Sequence, residues 1–291
     1  MIDPGLEGKV VLLTGANNPC GIGAGAAKAF AAQGAKVFLH YFRQQHKSAS
    51  ESGSESPGAP FYWSQQSKTA DEVLEAIRGL GAQADAWEAD LSDQATIAAM
   101  FDEAEKCLGP AEVLVNNAAY WEGDTFLPAA SELENRLIEL YADRPPTIGT
   151  SSLDRMFAVN TRAPALAMAE FARRHIERGA TWGRIVNIST AGAYCFPSEA
   201  SYGASKFALE SYTRTAAAEL GRFGITANVL ALGPVQTGWI TKELEQEVLP
   251  TIPVGRVGVP QDVASALLFL ASRQADWITG QRIFVGGGHG M

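Results

Sequence analysis

Tyr202 and Lys206, four residues apart in Tyr-Gly-Ala-Ser-Lys, are the pair in this chain whose types and spacing offer chemistry most directly. Four residues of α-helix advance about 6 Å and turn a little past one revolution, so the two side chains would share one face. A phenol ordinarily ionises at about pH 10, and a neighbouring ammonium favours the phenolate, which brings the proton into range for acid/base work near neutrality. The same pentapeptide also reads as an ordinary exposed helix with a stem-packed lysine, so its meaning depends on the rest of the chain.

A second chemical requirement would be a donor for charge on a reacting oxygen. Arg184-Ile185-Val186-Asn187-Ile188 predicts a buried strand ending at Ser189-Thr190-Ala191-Gly192. A hydroxyl at that strand end can hydrogen-bond a substrate carbonyl and the oxygen charge that develops there, and both Ser189 and Thr190 qualify.

The elements that must position these groups begin with an apolar run at Val10 to Leu13. A turn containing Gly15, Asn17, Gly21, Ile22 and Gly23 follows, and then a helical pattern to about Gln33. Strand, glycine turn and helix in this order make a phosphate-binding βαβ unit: glycine lets the backbone approach a pyrophosphate, and the free N–H groups of the helix hold its charge. A plain strand-to-helix connection is the competing reading. The next strand, Lys36 to Tyr41, lacks the acidic residue that would accept from a free ribose 2′-hydroxyl; Tyr41, Phe42 and Arg43 stand there instead, with Lys47 beyond. A cation there favours NADP(H) over NAD(H), while a merely solvated Arg43 is the alternative.

Ser48 to Pro60 is a low-complexity stretch that cannot bury apolar surface and is expected to be mobile. Phe61-Tyr62-Trp63 after it reads as a local surface cluster rather than a flap near the adenosine end. Asp90, past the strand at Ala84 to Glu88, could accept from an adenine amine, or its turn could cap the next helix through Ser92 or Asp93. After the strand ending at Val115, the small residues of Asn116-Asn117-Ala118-Ala119 let a flat ring or ribose approach the backbone, with turn chemistry as the alternative.

The totals bound the function. A 46% hydrophobic composition is enough for a large core, and no apolar run approaches the ~20 residues of a membrane span. A net charge of −9 with scattered basic residues argues against a nucleic-acid surface or membrane patch, so the expected partner is a small molecule. Cys20, Cys107 and Cys195 lack metal-ligand spacing and read as reduced, mostly buried thiols, and the four histidines show no metal-binding pairing. With Lys9 to Leu13 already a strand, no signal core is seen, and a cytoplasmic protein is expected.

In order and spacing, the glycine turn, Asp90-Leu91, Asn116-Asn117-Ala118-Ala119, Tyr202-x-x-x-Lys206 and Gly233-Pro234 resemble the short-chain dehydrogenase/reductases, most closely their bacterial 3-oxoacyl-carrier-protein reductase-type members. The resemblance runs from about Leu6 to Gly288. It implies one α/β domain, a Rossmann-type doubly wound parallel sheet with helices on both faces, interrupted by insertions at about 44–68 and 122–151. The glycine turn departs from the family's by placing five residues, rather than three, between its first two glycines. The second insertion carries a helical pattern around Glu132 to Tyr141 and a Pro145-Pro146 break, and is expected to rim the substrate mouth.

The resemblance also implies roles. Tyr202 protonates the carbonyl oxygen in reduction and takes the proton in reverse; Lys206 lowers its pKa and bonds the nicotinamide ribose. Asn160 kinks its helix and holds a water that relays protons. Ser189, 13 residues before Tyr202, is favoured as the hydroxyl by the family's separation, while counting from the strand start selects Thr190. Gly233, Pro234, the Val235 backbone and the Thr237 hydroxyl bind the carboxamide, and Trp239 to Pro250 is a substrate lid. Asn117, Ala118 and Ala119 join Asp90 and Leu91 along the cofactor. A homotetramer with a four-helix contact follows by analogy. Tyr120, Trp121, Tyr194, Phe196 and Trp239 are candidates for an apolar substrate wall. The expected activity interconverts a ketone or aldehyde and an alcohol, with a 3-oxoacyl thioester, cyclic ketone or sugar as substrate; enoyl-thioester reduction and a cofactor-binding sensor without turnover are the rivals.

Overall fold

Short apolar runs separated by helical segments build one parallel sheet because such strands are covered on both faces and need apolar side chains in both directions. In the computed structural model, which describes residues 3–44, 56–128 and 145–290, seven parallel strands stand in the order β3-β2-β1-β4-β5-β6-β7. They are β1 (Val10–Thr14), β2 (Lys36–Tyr41), β3 (Ala84–Glu88), β4 (Val113–Asn116), β5 (Gly183–Thr190), β6 (Ile225–Leu232) and β7 (Arg282–Val285). The expectations for His46, Lys47, most of Ser48 to Pro60 and the helix at Glu132 to Tyr141 lie outside the described residues.

Successive residues of β1 show the two-sided burial. Val11 and Leu13 face one apolar layer with α1 (Ile22–Ala31), α3 (Asp71–Gly79) and α9 (Pro260–Ala271). Leu12 faces the other, with α4 (Ala95–Leu108), α6 (Ala163–Glu177) and α7 (Ala200–Leu220). The fold is therefore the doubly wound one expected. Strand order reverses between β1 and β4, and the carboxyl ends of such strands form a crevice suited to a ligand. Registers Asn116↔Asn187 and Thr190↔Leu232 bring the ends of β4, β5 and β6 to the same edge.

Three smaller elements lie near this edge: α2 (Ala59–Gln66), α5 (Thr150–Phe157) and α8 (Lys242–Val248), the last within the segment expected to be a lid. One correction concerns the cysteines, all three of which are exposed rather than buried. Cys20 sits in the glycine turn, Cys107 near the end of α4 and Cys195 in the loop after β5, places that the core layers do not cover. Among the described residues no helix is long and apolar enough to cross a membrane, and no His/Cys/Asp/Glu cluster could hold a metal ion.

Candidate functional site

Tyr202 and Lys206 both lie in the first turns of α7, and the start of that helix is fixed from outside it. Asp124, fully buried, accepts from the Ser201 backbone N–H through Oδ1 (2.8 Å) and from the Ser152 hydroxyl through Oδ2 (3.4 Å). A carboxylate there satisfies one of the N–H groups a helix leaves unpaired and favours the positive end of its dipole. The preceding Ser198 has φ 68°, in the left-handed region, and its carbonyl accepts from the Asp124 N–H at 3.0 Å.

Lys206 is 2% exposed, and its Nζ donates to the Ile188 carbonyl of β5 at 3.0 Å. Burial pulls its pKa from 10.5 down to about 8. Its ammonium lies 5.8 Å from the centre of the Tyr202 ring. The Tyr202 phenol, however, is pushed well above the ordinary value, first by burial and then by the negative charge of Glu199 and by Tyr62. The expected depression of the phenol by its lysine is thus not the dominant effect: loss of water outweighs the cation.

Asn160 lies in a π-helical turn, Ala158–Arg162, between α5 and α6, the kind of local bulge that interrupts a helix. Its Oδ1 accepts from the Tyr120 N–H (2.8 Å), and its Nδ2 donates to the Tyr120 carbonyl (2.8 Å) and the Ser205 hydroxyl (3.0 Å). Ser205 in turn donates to the Tyr202 carbonyl at 2.7 Å, so Asn160 ties the loop after β4 to α7.

The two strand-end hydroxyls differ sharply. The 3% exposed Ser189 donates to Glu210 Oε1 at 2.7 Å, and Arg282 from β7 donates to the same oxygen at 2.8 Å. A hydroxyl has one proton to give, and that of Ser189 is directed at a carboxylate. Thr190 is less buried, and its Oγ1 accepts from the Gly192 N–H at 3.3 Å, which leaves the proton uncommitted by that contact. Arg282 also donates to the Thr190 and Ala191 carbonyls, at 3.1 and 3.3 Å, and so holds the strand end itself.

The glycine turn meets the small residues after β4. Gly15 has φ 74°, and a Cβ there would come within 2.7 Å of the Ala118 Cα; a Cβ on Gly23 would strike the Gly15 carbonyl at 2.3 Å. Thr14 Oγ1 accepts from the Asn117 and Ala118 N–H groups (3.1 and 3.0 Å), and Asn117 Nδ2 donates to the carbonyls of Thr14 and Gly15 (3.0 and 2.8 Å). Ala119 follows directly. Gly21 precedes α1, and no side chain among the described residues caps that helix, so the first N–H groups, from Ile22 and Gly23, are available to an anion. Within the lengthened turn, Asn18 Oδ1 accepts from the Cys20 N–H at 2.9 Å. Asn17 is turned elsewhere: its Nδ2 donates to the carbonyls of Gln66 and Lys68 at 2.8 and 2.9 Å.

At the end of β2, Arg43 Nε donates to Glu88 Oε1 at 2.8 Å, an ion pair on a half-exposed surface, and Tyr41 stands beside the same carboxylate. Asp90 Oδ1 accepts from the Ser92 N–H at 2.8 Å, and Leu91 is buried. At the end of β6, a Cβ on Gly233 would meet the Gly286 Cα at 2.7 Å. Pro234 and Val235 are held by the neighbouring Gly258 strand bridge, and the Thr237 carbonyl accepts from Asn18 Nδ2 at 3.2 Å. The two turns are thereby joined across the crevice.

Sequence reasoning did not single out Asp124, Glu199, Glu210 or Arg282. Glu210 carried a signal: it lies four residues after Lys206 and eight after Tyr202, on the same stripe of α7. The Phe61-Tyr62-Trp63 cluster is helical and half-buried, with Phe61 against Gly238 and with Tyr62 and Trp63 against Trp239.

A family model described as enoyl-(acyl carrier protein) reductase matches residues 55–289. YjdA of Bacillus subtilis, named as an uncharacterized oxidoreductase, is 30% identical, with 96% of each chain covered. A hydroxynaphthalene reductase of Aspergillus fumigatus is 31% identical, covering 95% of this chain and 90% of its own. Among solved structures, a short-chain dehydrogenase/reductase from Serratia marcescens superposes with a TM-score of 0.76 at 27% identity, over 98% of this chain and 99% of that one.

Proposed function

Because this chain belongs to the short-chain dehydrogenase/reductase family, an oxidoreductase family that uses NAD(P)(H), we propose that it interconverts a ketone or aldehyde and the corresponding alcohol. The observation that carries this reading is Lys206. A fully buried ammonium has three protons to donate, and among the described residues the Ile188 carbonyl receives one of them beside the Tyr202 ring. Such a group fits the hydroxyls of a cofactor ribose, and the uncapped start of α1 at Gly21 to Gly23 fits the pyrophosphate.

A bound nicotinamide supplies the hydride to the carbonyl carbon in reduction and accepts it in oxidation. The chain's own residues manage the proton. Tyr202 donates to the carbonyl oxygen, and its raised pKa keeps it in the neutral, donating form throughout the neutral range. Thr190, whose proton Gly192 does not take, is the better donor to the developing oxygen charge than Ser189, which is held by Glu210. Asn160 fixes Ser205 and the loop at Tyr120 against α7 and so positions the pair. Gly233, Pro234, Val235 and Thr237 hold the carboxamide, with Asp90, Leu91, Asn117, Ala118 and Ala119 along the adenosine and ribose.

NADP(H) is the proposed cofactor, on the cation of Arg43 just past the end of β2, half-exposed and paired through Nε with Glu88. A homo-oligomer is supported by Phe207 and Tyr212, 47% and 51% exposed on α7. The test is a panel of carbonyl compounds and alcohols assayed with both cofactors, alongside an enoyl thioester, for wild type and Tyr202→Phe. Reduction of a carbonyl with NADPH, lost in Tyr202→Phe, is the expected result. Turnover of the enoyl thioester alone would move the reaction to carbon–carbon double bonds, as the description of the matching family suggests.

A further inference from the structure

The segment between β2 and α3 is an insertion by the family resemblance, and its last part, α2, is anchored at both sides of the crevice. The Gly58 N–H donates to the Gly238 carbonyl at 2.8 Å. The Phe61 ring lies so close to Gly238 that an added Cβ there would come within 2.7 Å of its Cε1, and φ 93° at Gly238 independently favours glycine. At the other end of the helix, Asn17 of the glycine turn donates to the carbonyls of Gln66 and Lys68. An asparagine in a phosphate-binding turn thus satisfies carbonyls at the end of α2, and the helix bridges the two turns assigned above to the cofactor.

What α2 carries to the middle of this bridge is aromatic. Tyr62 meets Trp239 edge to face at 5.3 Å, Trp63 meets it at 6.5 Å, and Trp121 meets it at 5.4 Å. The Trp121 indole N–H donates to Glu199 Oε2 at 2.7 Å, three residues before Tyr202, and Phe196 lies 6.2 Å from the Tyr202 ring. The rings therefore come from α2, the loop after β4 and the turn after β6, and they converge on the start of α7.

We propose that α2 is the roof of the substrate pocket, and that Tyr62 and Trp63, acting with Trp121 and Trp239, make the pocket select a flat ring ketone over an open-chain 3-oxoacyl thioester. The proposal rests on the carbonyl-reduction reading above. Rings that already pair edge to face present apolar faces and positive edges, and a flat π-system can stack on or abut them at the same spacings. An acyl thioester has no such face, and its chain would have to leave the pocket past a helix hydrogen-bonded at both of its ends. Tyr62 and Trp63 are therefore specificity-determining residues, and Asn17 is a positioning residue that acts through α2.

The test compares a fused-ring ketone, 2-tetralone, with an acetoacetyl thioester of N-acetylcysteamine, each reduced with NADPH by the full chain. Wild type, Tyr62→Ala, Tyr62→Phe, Trp63→Ala and Tyr202→Phe are assayed, with NADPH affinity and thermal unfolding followed for each. Wild type is expected to show the higher kcat/KM for tetralone. Tyr62→Ala and Trp63→Ala each remove ring contacts, and are expected to cut the tetralone-to-thioester ratio of kcat/KM roughly tenfold, chiefly through KM. Tyr62→Phe keeps the ring and should keep the ratio. The proposal is overturned if wild type prefers the thioester or reduces neither compound, or if the alanine variants change both substrates equally. Should Tyr62→Ala fail to fold, Trp63→Ala decides by the same ratio, and loss of folding in both would make the ring cluster structural and overturn the proposal. Activity retained in Tyr202→Phe sinks the carbonyl-reduction reading instead, whatever Tyr62 does.

Discussion

Replacing Ser189 and Thr190 separately should split stability from catalysis. Ser189→Ala removes a buried hydrogen bond to a carboxylate, for which about 1.5–3 kcal/mol is typical. Glu210 keeps Arg282 at 2.8 Å, so no unpaired charge is created and about 2 kcal/mol is the appropriate figure. For 291 residues, at an unfolding entropy of about 2.1 cal/mol/K per residue, this lowers Tm by about 3 °C. Its kcat should stay near wild type. Thr190→Val keeps the branched shape and removes only the hydroxyl, with loss of the Gly192 contact at 3.3 Å, so Tm should move by about 1 °C or less. If Thr190 is the donor to the reacting oxygen, its kcat should fall roughly 100-fold, the scale for removing one such group. Calorimetry and steady-state reduction of one carbonyl substrate with NADPH give both readouts. A 100-fold loss of kcat in Ser189→Ala at unchanged Tm, with Thr190→Val active, would refute the assignment.

The remaining predictions concern charge and positioning. With Lys206 held at about 8, steps that need its ammonium should weaken as pH rises through that value, well below the 10.5 of free lysine, and the NADPH Kd measured against pH should rise there. Because the folded pKa lies below the unfolded one, the unfolded chain binds more protons between about 8 and 10.5; stability contributed by this residue therefore rises with pH across that window and is level below it. Lys206→Met should remove that part of the slope in denaturation curves. Arg43→Ala should raise KM for NADPH roughly tenfold while leaving KM for NADH within about twofold, and equal effects on both would remove Arg43 from the 2′-phosphate. Asp124→Ala should cost about 2–3 kcal/mol of unfolding free energy and lower kcat as well, since it releases the start of the helix that carries Tyr202; an unchanged kcat would show that α7 holds its place without this contact.

The sheet was legible because its signals are local. Val10 to Thr14 is apolar at every position but the last, glycine turns follow the strands at Gly15 and Gly233, and helical periods fill the intervals, so order and class follow from patterns within a dozen residues. The shared helix of Tyr202 and Lys206 was legible for the same reason, whereas Asn160 was found only through the family resemblance. What could not be read was everything that depends on separation in sequence becoming proximity in space. Glu210 meets Arg282 across 72 residues, and Asp124 caps a helix 77 residues away. Neither contact leaves a periodic trace. The preference between Ser189 and Thr190 needed such a contact, because spacing along the chain cannot say which hydroxyl a buried carboxylate has already engaged.

The same limit explains the altered view of the tyrosine and lysine. Helical spacing correctly puts them on one face, and from that alone a cation should draw the phenol's pKa down. Whether it does depends on how much water the fold removes from each group: burial is the first cause of both shifts, raising the tyrosine, to which the charge of Glu199 adds, and lowering the lysine. The two shifts have one origin: a buried site disfavours both the phenolate and the ammonium. A phenol held neutral is suited to giving a proton to an oxygen that gains charge, and an ammonium that donates to the Ile188 carbonyl has further protons for a second acceptor. Burial, more than the charge of either partner, sets the protonation of the pair.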